Sequence, residues 1–301
     1  MASESGLQDT LMQYEKYLEQ CGFSQVTIKN YVGDIRRFAS WLARTRAKPL
    51  LQSTGGDIRR YCLELVTAKA HLAATVNRGL QSIRKFYRYA LRSGLVEDDP
   101  SLGVKLLRQS KSQVPRGLDE SEIVGLLDAV QQGSPPLVSR DYAIVQLMLQ
   151  TGIRVGELTK LRLFDVSLSE EKGVLKIRGR GASRDREIPL NNSARKALGA
   201  YLEERSPGGS DQLFLTRNGD PLSVRSVQRL VNACAQTAGL QNVSPCTLRH
   251  TYGQHMLRDT GDLSLVARLM GHRRLETAIK YVLPRQEDLT EVAEKSSLNV
   301  Y

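Results

Sequence analysis

The chain has 301 residues, 41% of them hydrophobic, with a formal net charge of +11 and a pI near 9.6. That length suits two cores better than one, and the charge favours a polyanionic partner, nucleic acid ahead of an anionic membrane. No apolar run approaches the ~20 residues that span a bilayer, Met1–Gly6 does not open a secretory signal, and the scattered cysteines Cys21, Cys62, Cys234 and Cys246 argue against a zinc site or a disulfide framework.

Residues 1–104 read as a helical domain. Leu7, Leu11, Tyr14 and Leu18 keep a helical apolar spacing, with the first helix starting near Leu7. Ile28, Tyr31, Ile35, Phe38 and Leu42 keep a second, and Lys29 and Arg36 fall off that stripe. A later helix carries Leu80, Ile83, Tyr87 and Leu91 on one side and Arg78, Lys85, Arg88 and Arg92 on another. A charged stripe is commonly only a solvated face. One without interspersed acids is also what a DNA backbone attracts.

The helical block ends near Asp98-Asp99-Pro100. Residues 105–117, including Lys111, are basic and aperiodic and contain Pro115 and Gly117, the composition of an interdomain linker. Asp119 followed by Glu122 resembles a capping box and opens a second domain, 118–301. Within it, Ala143–Gln150 is an apolar helix running into Gly152. Gly173–Arg178 and Arg186–Leu190 alternate as short strands, joined by a hairpin connection, Gly179–Asp185. Helices follow through Tyr281, and a short amphipathic tail carries Leu289, Val292 and Ala293. The expected fold class is mainly α with a small β-sheet.

Three segments concentrate the chemistry. In Thr151-Gly152-Ile153-Arg154-Val155-Gly156-Glu157-Leu158, Arg154 stands at a helix start and can hold two phosphate oxygens in a fork. The plainer reading is an i,i+3 salt bridge with Glu157. In Ser244-Pro245-Cys246-Thr247-Leu248-Arg249-His250-Thr251, Cys246 and Arg249 share a face at i and i+3, and His250 points elsewhere. The plain reading of Cys246 is a small, semi-buried packing residue, and His255 reads as structural. Further on, Gly271 breaks a helix and sets His272 at the break, with Tyr281 after a short helical turn. A buried tyrosine ordinarily packs with its hydroxyl bonded. As a nucleophile on phosphorus it would form a covalent link that keeps the phosphodiester energy, in keeping with a sequence that has neither a P-loop nor an H-E-x-x-H pattern.

In this order, T-G-x-R-x-x-E-L, P-x-x-L-R-H-T and a Gly-His pair followed by Tyr281 resemble the tyrosine recombinases of the Xer and phage-integrase superfamily, over nearly the whole chain. The resemblance implies a SAM-like core-binding domain, a basic linker and an α+β catalytic domain clamping duplex DNA, without a cofactor or metal. Carried over residue by residue, Arg154 and Arg249 would hold the scissile phosphate and His272 would bond it and assist proton movement. Tyr281 would become joined to the 3′ phosphate and free a 5′ hydroxyl, with Glu157 and His250 in support. Lys29, Arg36, Arg78, Lys85, Arg88, Arg92 and Lys111 are the expected DNA contacts.

Two positions depart from the family pattern. Cys246 stands where a histidine is usual, and a neutral thiol is a poor donor to phosphate. Gly179-Arg180-Gly181 replaces a lysine-bearing tripeptide whose lysine protonates the leaving 5′ oxygen. Arg180 stabilises charge but is a poor proton donor, so Lys176, four residues earlier, is a second candidate for the acid; Lys172 is a weaker one. The resemblance further implies two molecules on an inverted-repeat site and four in a synapse, with exchange through a Holliday junction and tail docking on a neighbour. A paralogous recombinase or accessory protein is a further partner class. The first helix begins so near the N-terminus that an arm-binding domain is not expected, which favours Xer-like resolution over phage integration, with mobile-element integration or excision still open. The expected location is the cytoplasm, with the nucleoid. Two alternatives stand beside this reading. One is a site-specific DNA-binding protein of the same fold with weak or lost cleavage, prompted by Cys246 and Arg180. The other is a type IB topoisomerase, which the core-binding domain disfavours.

Overall fold

The computed structural model describes residues 2–68, 70–108, 116–133, 136–179, 185–205 and 210–271. The chain divides into two compact units, Met1–Ser112 and Gln113–Tyr301.

The first unit is helical: α1 (Ala2–Gln20), α2 (Gln25–Arg46), α3 (Gly55–Thr67) and α4 (Ala73–Arg92), with a 3-10 turn at Leu50–Gln52. The first helix starts at Ala2 rather than near Leu7. Apolar spacing marks a helix only where apolar residues recur, and the sequence Ala2-Ser3-Glu4-Ser5-Gly6 carries no such stripe. Ser24 caps α2 by accepting the Thr27 N–H through Oγ at 3.2 Å. Ile28, Ile35, Phe38 and Leu42 are fully buried as their spacing predicts. In α4 the stripe departs from expectation at its end: Leu91 is exposed, and Ala90 takes the core position after Leu80, Ile83 and Tyr87. The 3.6-residue period puts position 90 nearer the packed face, where only a small side chain is needed.

Helix α3 carried no clear periodic signal and is set instead by its N-terminus. Thr54 and Asp57 form a reciprocal capping box, with Thr54 N–H to Asp57 at 3.0 Å and Asp57 N–H to Thr54 Oγ1 at 3.3 Å. Asp57 is buried and also accepts from Arg46 (3.0 Å) and Lys48 (3.3 Å). The core is rich in rings. Tyr14 meets Phe86 edge-on at 5.2 Å, and Trp41 packs on Tyr61 at 5.3 Å while donating Nε1–H to Glu64 at 2.7 Å. The start of the segment read as a linker is tied down: Leu107 exchanges both backbone bonds with the Asn77 amide, at 2.8 and 2.9 Å.

The second unit opens with α5 (Glu120–Gln131), capped by the Asp119–Glu122 box the sequence predicts. Next comes α6 (Val138–Thr151), which is buried around most of its circumference (Ala143, Ile144, Val145, Leu147, Met148, Leu149) and therefore sits centrally, against α5, α8 and α10. A short α7 (Val155–Leu158) and a 3-10 turn at Leu163–Asp165 lead into an antiparallel sheet of β1 (Val166–Leu168), β2 (Gly173–Ile177) and β3 (Arg186–Pro189), in that order. The register pairs Leu175 with Ile188, and both are buried. Strand β1 was not expected from the sequence; three residues are too few to establish an alternation. The chain continues through α8 (Asn192–Glu204), α9 (Val224–Thr237), α10 (Pro245–Thr260) and α11 (Leu263–Leu269). A main core runs through Leu126, Ile144, Leu158, Ile177, Leu198 and Val231, and a smaller cluster of Tyr252, Val266, Ala267 and Met270 seats α11 on α10. The architecture is mainly helical with a small sheet, as expected.

Candidate active site

The site grows from the turn that ends α6. Gly152 caps that helix in the left-handed region at φ +58°, and a Cβ there would lie 2.4 Å from Tyr252 Cδ1. Both facts demand glycine. The tight turn delivers Arg154 to the N-terminus of α7. Glu157 then reaches back: its carboxylate accepts the Arg154 backbone N–H at 3.1 Å and the Arg154 guanidinium at 3.0 Å. The plain salt-bridge reading of Arg154 is therefore present, but it is not the whole role. Arg154 also donates through Nη2 to the Gly271 carbonyl at 2.9 Å, and its side chain stays 42% exposed.

Arg249 comes from the second turn of α10, whose start is fixed by the Ser244–Thr247 capping box and Pro245. It is 7% exposed and donates to the carbonyls of Gly152 and Met270. Arg154 and Arg249, remote in sequence, thus converge on one turn, 270–271, at the C-terminal end of α11. A charged group as buried as Arg249 is held in place by bonds, and a site with its cations already fixed gives up little freedom on binding phosphate.

Cys246 departs from expectation. It is exposed rather than semi-buried, and its Sγ lies 3.4 Å from His250 Nε2. The thiol faces the residue at i+4, while Arg249 turns inward, so Cys246 pairs with His250 and not with Arg249. His255 is structural as read: its Nε2 lies 3.2 Å from the Leu118 carbonyl.

A groove of about 870 Å³ adjoins Arg154 and Glu157 and is lined also by Lys160, Lys176 and Arg178. Lys176 is exposed on β2 and pairs across the strands with Glu187 at 3.5 Å, a contact open to solvent on both sides. Arg178 stacks over Phe164 at 4.7 Å and donates Nε–H to the buried Asp165 at 3.1 Å.

Sequence reasoning missed Arg186. It begins β3, is 14% exposed, and grips both Glu157 oxygens, Nη1 at 3.1 Å and Nη2 at 2.7 Å, while Nε donates to Leu269 at 3.1 Å. Burial pushes the Glu157 carboxyl up, but the Arg186 fork and Arg154 outweigh it and hold it below the usual range. Nothing in the sequence pairs residues 157 and 186; only the fold does.

In the first unit, Lys29, Arg36, Arg78, Arg88 and Arg92 are exposed. Two of the expected cations already have partners within this unit. Arg78 forks onto the buried Asp34 of α2 at 2.6 and 2.9 Å. The acid missing from its own helix is supplied by a neighbour. Lys85 lies over the Phe23 ring at 4.8 Å. Lys111, Arg180, His272 and Tyr281, with the tail residues Leu289, Val292 and Ala293, lie outside the described residues.

The sequence pattern of the phage integrase family matches residues 116–287, and that of the phage integrase N-terminal SAM-like domain matches residues 11–94. The chain is 32% identical over 298 residues to the tyrosine recombinase XerC of Pelobacter propionicus, covering 96% of this chain and 95% of that one. It is 34% identical over 266 residues to the tyrosine recombinase XerD of Pseudomonas aeruginosa, covering 86% and 87%. Its fold is similar to that of the XerH site-specific recombinase bound to palindromic difH substrate in a post-cleavage complex, with a TM-score of 0.75 at 21% identity over 90% of this chain and 80% of that one.

Proposed function

This chain belongs to the phage integrase family and is a tyrosine-type site-specific recombinase, and from that premise we propose that Arg154 and Arg249 grip one phosphate of duplex DNA while Tyr281 attacks it. The observation that carries the proposal is the convergence of both guanidiniums on the turn at 270–271, directly before His272.

The step balances without a nucleotide. The Tyr281 oxygen forms a bond to phosphorus and loses its proton. The bond from phosphorus to the 5′ oxygen breaks, and that oxygen takes up a proton, leaving a 3′ phosphotyrosyl link. The 5′ hydroxyl of another strand reverses the step and releases Tyr281. Arg154 and Arg249 offset the charge that builds on the phosphoryl oxygens. His272 bonds the same phosphate, and Glu157 and His250 hold the arginine and Cys246 in place. Arg180 or Lys176 serves the leaving oxygen; the position of Lys176 in the groove beside Arg154 supports the lysine, whose proton can be given up.

Lys29, Arg36, Arg88, Arg92 and Lys111 contact DNA phosphate, with residues 105–117 linking the two domains across the duplex. Two molecules occupy an inverted-repeat site and four form the synapse, exchanging strands through a Holliday junction in the cytoplasm, at the nucleoid. No helix among the described residues is long and apolar enough to cross a membrane.

A duplex nicked beside the scissile phosphate tests the chemistry, because loss of the short fragment traps the covalent adduct. The adduct is expected with the native chain and absent with Tyr281→Phe. An adduct that persists in Tyr281→Phe, or clean binding with no adduct at all, overturns the proposal.

A further inference from the structure

Arg186 lies outside the residues assigned above, yet its guanidinium is bonded through every nitrogen. Its three guanidinium nitrogens donate to both oxygens of Glu157 and to the Leu269 carbonyl. Glu157 in turn accepts the Arg154 guanidinium and backbone N–H. The set is a row of three charges, positive, negative and positive, with a net charge of one positive. Without Arg186 the remaining pair would be neutral, and a carboxylate 3.0 Å from Arg154 would repel an incoming phosphate. The side chain of Arg186 is also part of the turn that both phosphate arginines share. Gly271 sits at φ +64° against the guanidinium, and a Cβ there would come within 2.7 Å of Nη1. Arg186, Arg249 and Arg154 thereby donate to the successive carbonyls of Leu269, Met270 and Gly271.

We propose that Arg186 is a positioning residue for recombination: its charge offsets that of Glu157, so that Arg154 offers an uncompensated positive charge to the scissile phosphate. Arg186 acts through Glu157 and does not touch the substrate. The inference rests on the assignment of Arg154 to the phosphate.

The test compares the single-turnover rate of adduct formation on the nicked duplex among four chains: native, Arg186→Gln, Arg186→Lys and Glu157→Gln/Arg186→Gln. Arg186→Gln keeps a donor for the turn but leaves the carboxylate unmatched, so its rate is expected to fall by about tenfold or more. Arg186→Lys restores the charge and is expected to recover most of that loss. The double variant removes both charges and is expected to be faster than Arg186→Gln alone. A residue that only braced the fold would show no such rescue. A double variant as slow as Arg186→Gln, or Arg186→Lys no better than Arg186→Gln, overturns the inference. If Arg186→Gln loses its cooperative melt, the double variant and Arg186→Lys are compared with the native chain, and failure of both to form adduct overturns it equally. Tyr281→Phe run alongside keeps the two questions apart, since an adduct there sinks the nucleophile assignment, whatever Arg186 does.

Discussion

Arg154 and Arg249 donate to the carbonyl oxygens of consecutive residues, Gly271 at 2.9 Å and Met270 at 2.5 Å. The two guanidiniums are held by backbone at the point where the chain enters the Gly-His motif. A fixed fork aims its donors, whereas a free surface arginine must first be ordered at an entropic cost.

Arg249→Lys keeps the charge and loses the fork that spans Gly152 and Met270. Adduct formation is expected to slow by about 10²- to 10³-fold, with site binding by gel shift changed far less. A rate within a few-fold of native would show that the fork geometry is dispensable.

Cys246 is exposed beside His250 at the start of α10. Cys246→His supplies a second imidazole, a better donor to phosphate than a thiol. Adduct formation is expected to speed up by about tenfold, the worth of one added charge-assisted hydrogen bond. No change, at equal DNA occupancy, would mean that the thiol position does not face the reacting phosphate.

Gly152→Ala places a methyl group against the Tyr252 ring in a left-handed backbone conformation. Strain and overpacking together are expected to cost about 2–4 kcal/mol. For a unit of this size that is a fall in melting temperature of roughly 4–16 °C. Calorimetry should find the loss in the transition of the second unit; an unshifted melt would contradict the contact.

Burial pushes the Asp57 carboxyl up, but bonds from Thr54, Arg46 and Lys48 outweigh it and hold it well below the usual range. The unfolded chain then binds this proton more readily than the folded one. Its stabilising contribution is full above the ordinary carboxyl pKa of ~3.9 and is lost as pH falls toward the depressed folded value. Asp57→Asn is expected to melt lower at neutral pH by roughly 1–2 kcal/mol, and to show a flatter acid dependence below pH ~4. Parallel curves for the two chains in that range would remove Asp57 from the account.

Arg88 and Arg92 are exposed on α4. Replacing either with alanine is expected to weaken binding alike on all sequences and to reduce the slope of log affinity against log salt by about one per lost phosphate contact. Arg78, already forked onto Asp34, should change the slope less. Slopes unchanged from native in the Arg88 and Arg92 variants would argue against a DNA-facing α4.

Much of this protein was written locally. The 3.6-residue spacing of Ile28, Ile35, Phe38 and Leu42, the Asp119–Glu122 box and the turn at Gly152 depend on neighbours in the chain, so the sequence by itself determined those helices and their ends. The ordered motifs around Arg154 and Arg249 likewise carried the family and its chemistry. Other features had no local signature. The three-residue β1 and the fork of Arg78 on Asp34 were decided by which surfaces meet. Arg186 is the clearest case. Its partners Glu157 and Leu269 lie on other elements, and neither composition nor period marks a residue whose role is to neutralise a charge brought to it by folding. Periodicity and capping act over a few residues and can be read directly. Ion pairs between distant elements depend on where the backbone places them, and only the tertiary structure supplies that.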